Sequence, residues 1–133
     1  MSSSSAEKAL VLTLASSAGI HGGLVPAHAA EAPVLGVMFA GSALLLTAIA
    51  LRVDKAPGAA ALVAAALLLA ALLAGYVATR FVALPPVPHA EPVDLVGAGT
   101  KLIEAGGLVL ALRLLGTRAG GAALPALHEG ADR

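Results

Sequence analysis

The stretch APGAAALVAAALLLAALLAGYVAT, which runs from Ala56 to Thr79, decides the fold of this chain. It carries no charged residue, it lies between Lys55 and Arg80, and its alanines and leucines leave no polar face to turn towards water. A helix needs roughly 20 such residues to cross the hydrocarbon core of a bilayer, where backbone groups must form their hydrogen bonds within the segment itself. The stretch therefore predicts a membrane-spanning helix.

Three further stretches predict spans before and after this one. Residues 33–51 begin with a proline, whose missing N–H does no harm at a helix start, and they end at the polar turn 52–58. Residues 9–25 are apolar but are diluted by serines and glycines before Pro26 ends the run. Residues 93–115 carry four charged side chains, and we expect this polar stripe to face protein rather than lipid.

Together these segments predict an all-α fold, an integral membrane four-helix bundle. The predicted spans are residues 9–25, 33–51, 56–79 and 93–115, within one domain of residues 1–115. Residues 116–133 are rich in glycine and have too little apolar surface for another domain, so we expect a mobile cytoplasmic tail.

The composition excludes several classes of protein. Apolar residues make up 59% of the 133 residues, only 12% are charged, and the eight basic residues balance the eight acidic ones. The apolar excess excludes a soluble globular domain and a disordered chain, and the charge balance excludes a protein that binds nucleic acid through surplus positive charge. Cysteine is absent, which excludes disulfides and thiolate metal sites, so His, Asp or Glu would have to hold any metal ion.

Positively charged residues flanking the spans predict which side faces the cytoplasm, because such residues tend to stay there. With both termini inside, only Arg80 flanks the outer side. The residues expected on the cytoplasmic side are Lys8, Arg52, Lys55, Arg118 and Arg133, with Arg113 near it. We therefore expect a multi-pass protein of the plasma membrane, surrounded by the lipid bilayer, with the N and C termini in the cytoplasm.

A secretory signal peptide is a competing interpretation of the first span. Lys8, the apolar run after it and the tripeptide 27–29 resemble the charged region, the apolar region and the A-x-A cleavage site of such a peptide. Serines and the Gly22–Gly23 pair interrupt the run, however, and the cleavage position would lie almost directly against the next span. We therefore expect the first span to be retained.

Two histidines and a carboxylate lie near the outer end of the first span. His21 and His28 are separated by roughly 10 Å of rise on a straight helix, which is too far for one ion. The Gly22–Gly23 pair and Pro26 predict a turn at the membrane surface that brings both imidazoles towards one point, where Glu31 adds a carboxylate. Two His with one carboxylate suit zinc or non-haem iron, and imidazole also suits copper. The structural alternative is that these are interfacial polar groups at helix ends.

The second outer loop and the fourth span add further candidate ligands, namely His89, Asp94 and Glu104. Pro92 at the first helical position, with Glu91 and Asp94 on either side of it, is also what a helix start favours, because carboxylates there meet free N–H groups. We therefore expect Glu91 and Asp94 to cap the fourth span, and capping does not exclude ligation.

Lys101 and Glu104 lie one helical turn apart inside the fourth span. Charged residues inside a membrane are functional candidates, although a neighbouring pair can also neutralise itself as a structural ion pair turned into the bundle. Two functional interpretations stay open. Asp94, Lys101 and Glu104 descend from the outer surface as a proton or ion path, or Glu104 reaches a site organised by the first loop.

Two runs of the chain carry a family resemblance. The first, His21 to Gly36, has the pattern His-x6-His-x2-Glu-x-Pro, and the second, Leu84 to Glu104, combines prolines with acidic residues. In these runs the chain resembles a group of uncharacterised, small, Ala-rich, four-span membrane proteins of high-GC actinobacteria. The resemblance covers roughly residues 9–115 and implies that the first histidines belong to the mature protein, but it implies no activity. Small multidrug exporters also have four spans, but their signature acid lies in the first span, where this chain has none.

Three functions fit these features. The first is the binding or handling of a transition metal ion (copper, zinc or iron) on the outer side, with binding favoured over catalysis, so that we do not expect an enzyme. Its candidate ligands are His21, His28 and Glu31, with His89, Asp94 and Glu104 as additional ones. Haem ranks below a bare ion, because two Phe, one Tyr and no Trp offer little to wall a macrocycle. The second function is a non-catalytic accessory or assembly subunit of a larger membrane complex, and the third is a small proton or ion transporter, working as a homo-oligomer.

The orientation predicts the result of thiol labelling. A cysteine placed at Ala30 should react with a membrane-impermeant thiol reagent in intact cells, because this position is expected at the outer surface. A well-expressed Ala30→Cys protein that is not labelled would contradict the orientation.

Overall fold

The computed structural model describes residues 2–81 and 93–122, and this part of the chain forms four α-helices. They are α1 (Ser3–Glu31), α2 (Pro33–Lys55), α3 (Ala59–Phe81) and α4 (Leu95–Ala122). Each of the four is long and apolar enough to cross a membrane. For the residues that the structure describes, the prediction of an all-α fold with four membrane-capable helices is therefore confirmed.

Local sequence explains where these helices begin. The Ser2 hydroxyl accepts a hydrogen bond from the backbone N–H of Ser5 at the start of α1, and Pro33 starts α2 where no N–H is needed. At α4 the Asp94 carboxylate accepts a hydrogen bond of 2.7 Å from the N–H of Gly97, as the expected cap does. The helix begins at Leu95 rather than at Pro92, which lies outside the described residues together with Glu91.

Two of the helices extend beyond the predicted spans. α1 begins six residues before Ala9 and continues through Pro26 to Glu31, and α4 includes residues 116–122 of the predicted tail. The remainder of that tail, residues 123–133, lies outside the described residues. Glycine and proline are tolerated inside such long apolar helices because neighbouring helices can satisfy the freed backbone groups.

Consecutive helices run antiparallel. The link between α1 and α2 is the single residue Ala32, and the link between α2 and α3 is residues 56–58. α1 packs closely against both α2 and α4, α3 packs mainly on α4, and α2 and α3 touch less. One end of the bundle, here called the Lys55 end, therefore contains Ser3, Lys55, Ala59 and Ala122. The opposite end, here called the Glu31 end, contains Glu31, Pro33, Phe81 and Leu95.

Two glycines set the distance between helices. A methyl group built on Gly36 would lie 2.5 Å from the Cβ and 2.8 Å from the Cα of Ala29, so α1 and α2 are in backbone contact there. A methyl group on Gly107 would lie 2.6 Å from the Cγ2 of Thr13, across the contact between α4 and α1. Small residues allow this close approach, which is the main source of attraction between helices in lipid.

The contact at Gly36 predicts the effect of adding one methyl group. Gly36→Ala should lower the free energy of unfolding by about 1–3 kcal/mol, because the backbone of Ala29 cannot move aside without separating α1 from α2. Gly41→Ala is the matched control, since a methyl group there meets no atom within 4 Å and only improves helix propensity. Denaturant unfolding of both variants in detergent micelles measures the difference, and equal stabilities would contradict the proposed contact.

Candidate functional site

Glu104 is the only completely buried charged residue in the described part of the chain, with 0% of its surface exposed. It lies about 15 Å below Asp94 along α4, which is about half the thickness of a bilayer core. A carboxylate at this depth requires partners, because burying it without them is expensive. Its partners come from two helices.

The Glu104 centre consists of Glu104, Lys101, Ser17 and His21. Lys101 donates a hydrogen bond of 2.5 Å to Oε2 of Glu104 as an ion pair within α4. The Ser17 hydroxyl of α1 donates a hydrogen bond of 2.8 Å to Oε1. His21 Nδ1 lies 3.9 Å from the same oxygen, and both Ser17 and His21 are buried.

Helical spacing explains why these four side chains meet. Ser17 and His21 are four residues apart and so share one face of α1, and Lys101 and Glu104 are three apart on α4. The two faces meet because α1 and α4 pack antiparallel, with Thr13 against Gly107 one turn from the centre. At the Lys55 end, Arg118 donates a hydrogen bond of 2.7 Å to Glu7, which fixes the same register.

Polar side chains connect the centre with the Glu31 end. The Lys101 ammonium lies 5.6 Å from the centre of the Tyr76 ring, and the Arg80 guanidinium stacks on that ring at 4.1 Å. Arg80 in turn lies 3.9 Å from the partly exposed carboxylate of Asp94. Lys101 and Arg80 are both largely buried, so these contacts lead from the surface of the bundle to Glu104.

The other half of the bundle is apolar. Large side chains that are at most 3% exposed fill it between the centre and the Lys55 end: Leu10, Leu14, Leu62, Leu69 and Leu114. With buried alanines and Val53 they form one continuous cluster. Among the described residues, the polar route therefore reaches Glu104 from the Glu31 end only.

One surface groove of the described structure does not coincide with this centre. It has a volume of about 540 Å³ and lies between α1 and α2, where Ala15, Gly19 and Thr47 are among its lining residues. Its lining contains no member of the Glu104 centre, so we regard it as a consequence of small residues on adjoining helices.

The structure does not form the expected turn between the first two histidines. α1 is helical through Gly22, Gly23 and Pro26, because the helix continues across the proline. His21 and His28 therefore stay two helical turns apart, about 10 Å of rise.

The first candidate ligands accordingly occupy three different surroundings. His21 faces the Glu104 centre, His28 stacks on the ring of Phe39 with centroids 3.9 Å apart, and Glu31 is exposed at the end of α1.

The remaining candidate ligands are placed as follows. Asp94 caps α4, Glu104 meets His21, and His89 lies outside the described residues. Within residues 2–81 and 93–122 no three His, Asp or Glu side chains gather in a group able to hold a metal ion. Binding of a transition metal stays a prediction, with His21 and Glu104 as the two candidate ligands that the fold brings together.

Sequence reasoning missed Ser17 and Tyr76 as members of the polar set. Ser17 is one of the serines that dilute the first span, but its spacing of four from His21 also places both residues on one helical face. Tyr76 is the single tyrosine of the chain and lies one turn before Arg80, a spacing that favours stacking.

Comparison with protein-family models, curated proteins and solved structures finds no match for this chain.

The ion pair at the centre predicts unequal effects of two lysine substitutions. Lys101→Met should lower the free energy of unfolding by about 3 kcal/mol, because it leaves the buried Glu104 carboxylate without its cation. The exposed Lys8 provides the control, and Lys8→Met should have little effect. Adding Glu104→Leu to Lys101→Met should recover most of the loss, since no uncompensated charge then remains. Equal unfolding midpoints for the two single variants would contradict this interpretation.

Proposed function

We propose that this chain is an integral protein of the plasma membrane, with both termini in the cytoplasm, that carries protons across the bilayer through Glu104. The observation that carries the proposal is a completely buried carboxylate about halfway through a bundle of four membrane-capable helices. Ionisable residues inside membrane spans are rare and characteristically mark proton relays and ion paths.

The partners of Glu104 suit a group that gains and loses a proton. The Ser17 hydroxyl rotates freely and can bond to the carboxylate or to the protonated carboxyl. The Lys101 ammonium sits on a flexible stem, with the face of Tyr76 as a second favourable position. When a proton neutralises Glu104, the ammonium can therefore move towards Tyr76 and the Glu31 end without losing all its contacts.

The apolar half of the bundle determines how the proton would leave. Leu10, Leu14 and Leu69 belong to the apolar cluster between Glu104 and the Lys55 end, so a continuous water-filled pore does not fit this arrangement. Transport would require the contact between α1 and α4 to loosen, which opens this layer after Glu104 has been loaded. The positively charged residues at the Lys55 end favour a cytoplasmic location for that end.

Metal handling is the second candidate function, and one observation favours it. His21 Nδ1 and Glu104 Oε1 lie 3.9 Å apart. Two ligands on one tetrahedral ion are about 3.4 Å apart, so a small shift and the loss of the Nδ1 hydrogen would let both atoms bind one ion. The Lys101 ammonium argues against this function, because it already occupies the other oxygen of Glu104 and would repel a cation. A proton, by contrast, neutralises the carboxylate and releases the lysine.

Proton flux into liposomes tests the proposal. The wild-type protein, reconstituted with a pH-sensitive dye inside the vesicles, should carry protons, and Glu104→Gln should abolish the flux because an amide cannot release a proton. Asp54→Asn is the control, since Asp54 is an exposed carboxylate on α2 near the Lys55 end. It should leave the flux largely unchanged.

Two results would contradict proton transport. One is an absence of proton flux from the wild-type protein, and the other is an unchanged flux after Glu104→Gln. Elemental analysis of the same preparation, purified without chelator and without a histidine tag, addresses the second candidate. Near-stoichiometric copper, zinc or iron that is lost in His21→Ala would assign metal handling instead.

A further inference from the structure

The polar contacts on α3 and α4 lead towards Glu104, but they cannot pass a proton along. Arg80 stands between Asp94 and the rest of that series, and a guanidinium does not release its proton in proteins. The charged residues of this series can stabilise charge near the Glu104 centre. A proton, however, is passed along only by groups that can both accept and donate it. Among the described residues close to Glu104, the imidazole of His21 is such a group.

The two histidines of α1 share one hydrogen-bonding arrangement. His21 Nδ1 lies 2.9 Å from the carbonyl oxygen of Ser17, and His28 Nδ1 lies 3.0 Å from the carbonyl oxygen of Leu24. A carbonyl oxygen only accepts, so Nδ1 carries the hydrogen in both rings. In the neutral imidazoles the Nε2 atoms are then the proton acceptors.

The ring of Phe39 on α2 separates these two imidazoles. It stacks on His28 with centroids 3.9 Å apart and an angle of 21°, and it lies 5.4 Å from the ring of His21. The contacts of Ala29 with Gly36 and of Gly22 with Ala43 place Phe39 at a level between the two histidines. An apolar ring in this position interrupts any chain of hydrogen bonds from one imidazole to the other.

The charged groups around His21 leave Glu104 as the group that can accept a proton from it. From α4 the charged groups near His21 are Glu104 and Lys101, and α2 has no charged residue from Pro33 to Leu51. Glu31 lies one turn beyond His28 at the exposed end of α1. Pro26 has no N–H to donate to the carbonyl of Gly22, so this carbonyl is available to a water molecule between the histidines.

We propose that His28 and His21 form the proton route to Glu104 and that the Phe39 ring is its barrier. The inference rests on the proposed proton transport. His28 takes up a proton on Nε2 from the Glu31 end and passes it through water to Nε2 of His21 when the Phe39 ring moves aside. His21 then releases its Nδ1 proton to Oε1 of Glu104 through the Ser17 hydroxyl, which lies 3.4 Å from Nδ1 and 2.8 Å from Oε1, and it keeps the new proton on Nε2. Water that takes this proton from Nε2 and returns one to Nδ1 restores the first tautomer. One proton enters and one leaves each imidazole, with no change of oxidation state.

Substitutions at Phe39 and His28 test this route in the same liposome assay. Phe39→Ala should raise the proton flux about fivefold, which corresponds to a barrier lower by about 1 kcal/mol. Phe81→Ala is the matched control, because Phe81 is 80% exposed, and it should not change the flux. His28→Gln should lower the flux about tenfold, since an amide does not relay protons.

A spectroscopic measurement on the wild-type protein covers the case in which a variant fails to fold. Nitrogen-15 NMR of histidine-labelled protein in lipid bilayers, with both imidazoles neutral, should show the Nδ1–H tautomer for His21 and His28. The Nε2–H tautomer at either residue would overturn the route.

Unchanged flux in both Phe39→Ala and His28→Gln, together with loss of flux in Glu104→Gln, would also overturn the route while leaving proton transport intact. Unchanged flux in Glu104→Gln would reject transport through Glu104 itself.

Discussion

The structure depends on the need to satisfy one carboxylate, that of Glu104, at the centre of an apolar bundle. Lys101 neutralises it from within α4, but a carboxylate has acceptor positions that one ammonium does not fill. Ser17 supplies the second donor from α1. This requirement fixes the pairing of α1 with α4 and its register, and the close contact of Gly107 with Thr13 makes the required approach sterically feasible.

The bundle is polar in one half and apolar in the other, and this asymmetry follows from the same contact. Towards the Glu31 end the helices carry Lys101, Tyr76, Arg80 and the histidines, whereas towards the Lys55 end leucines and alanines close the core. Among the described residues, polar contacts therefore connect Glu104 with the Glu31 end of the bundle only. A transport cycle would have to break the packing that gives the bundle much of its stability, which ties transport to the strength of the contact between α1 and α4.

Much of the fold follows from local sequence. Long uncharged runs such as residues 59–79 have no stable alternative to a helix in hydrocarbon, and Pro33 and Asp94 mark helix starts by their chemistry. The first span was harder to predict, because glycine and proline near residues 22–26 usually end helices in water. In α1 the apolar surroundings and the backbone contact with α2 keep the helix continuous. That continuity separates His21 from His28 and removes the single ligand cluster that a turn there would have made.

The sequence by itself determined the number of membrane-capable helices, their order and the Lys101–Glu104 pair, because hydropathy and spacing along one helix are local properties. Only the tertiary structure decided which residues complete the site. Ser17 and His21 lie more than eighty residues from Glu104 in the chain, and the uniform alanine and leucine surfaces of these helices give almost no periodic signal of which faces meet. The partner of each polar group is selected by the cost of leaving it unpaired in an apolar interior, and this cost is defined only once the helices have packed.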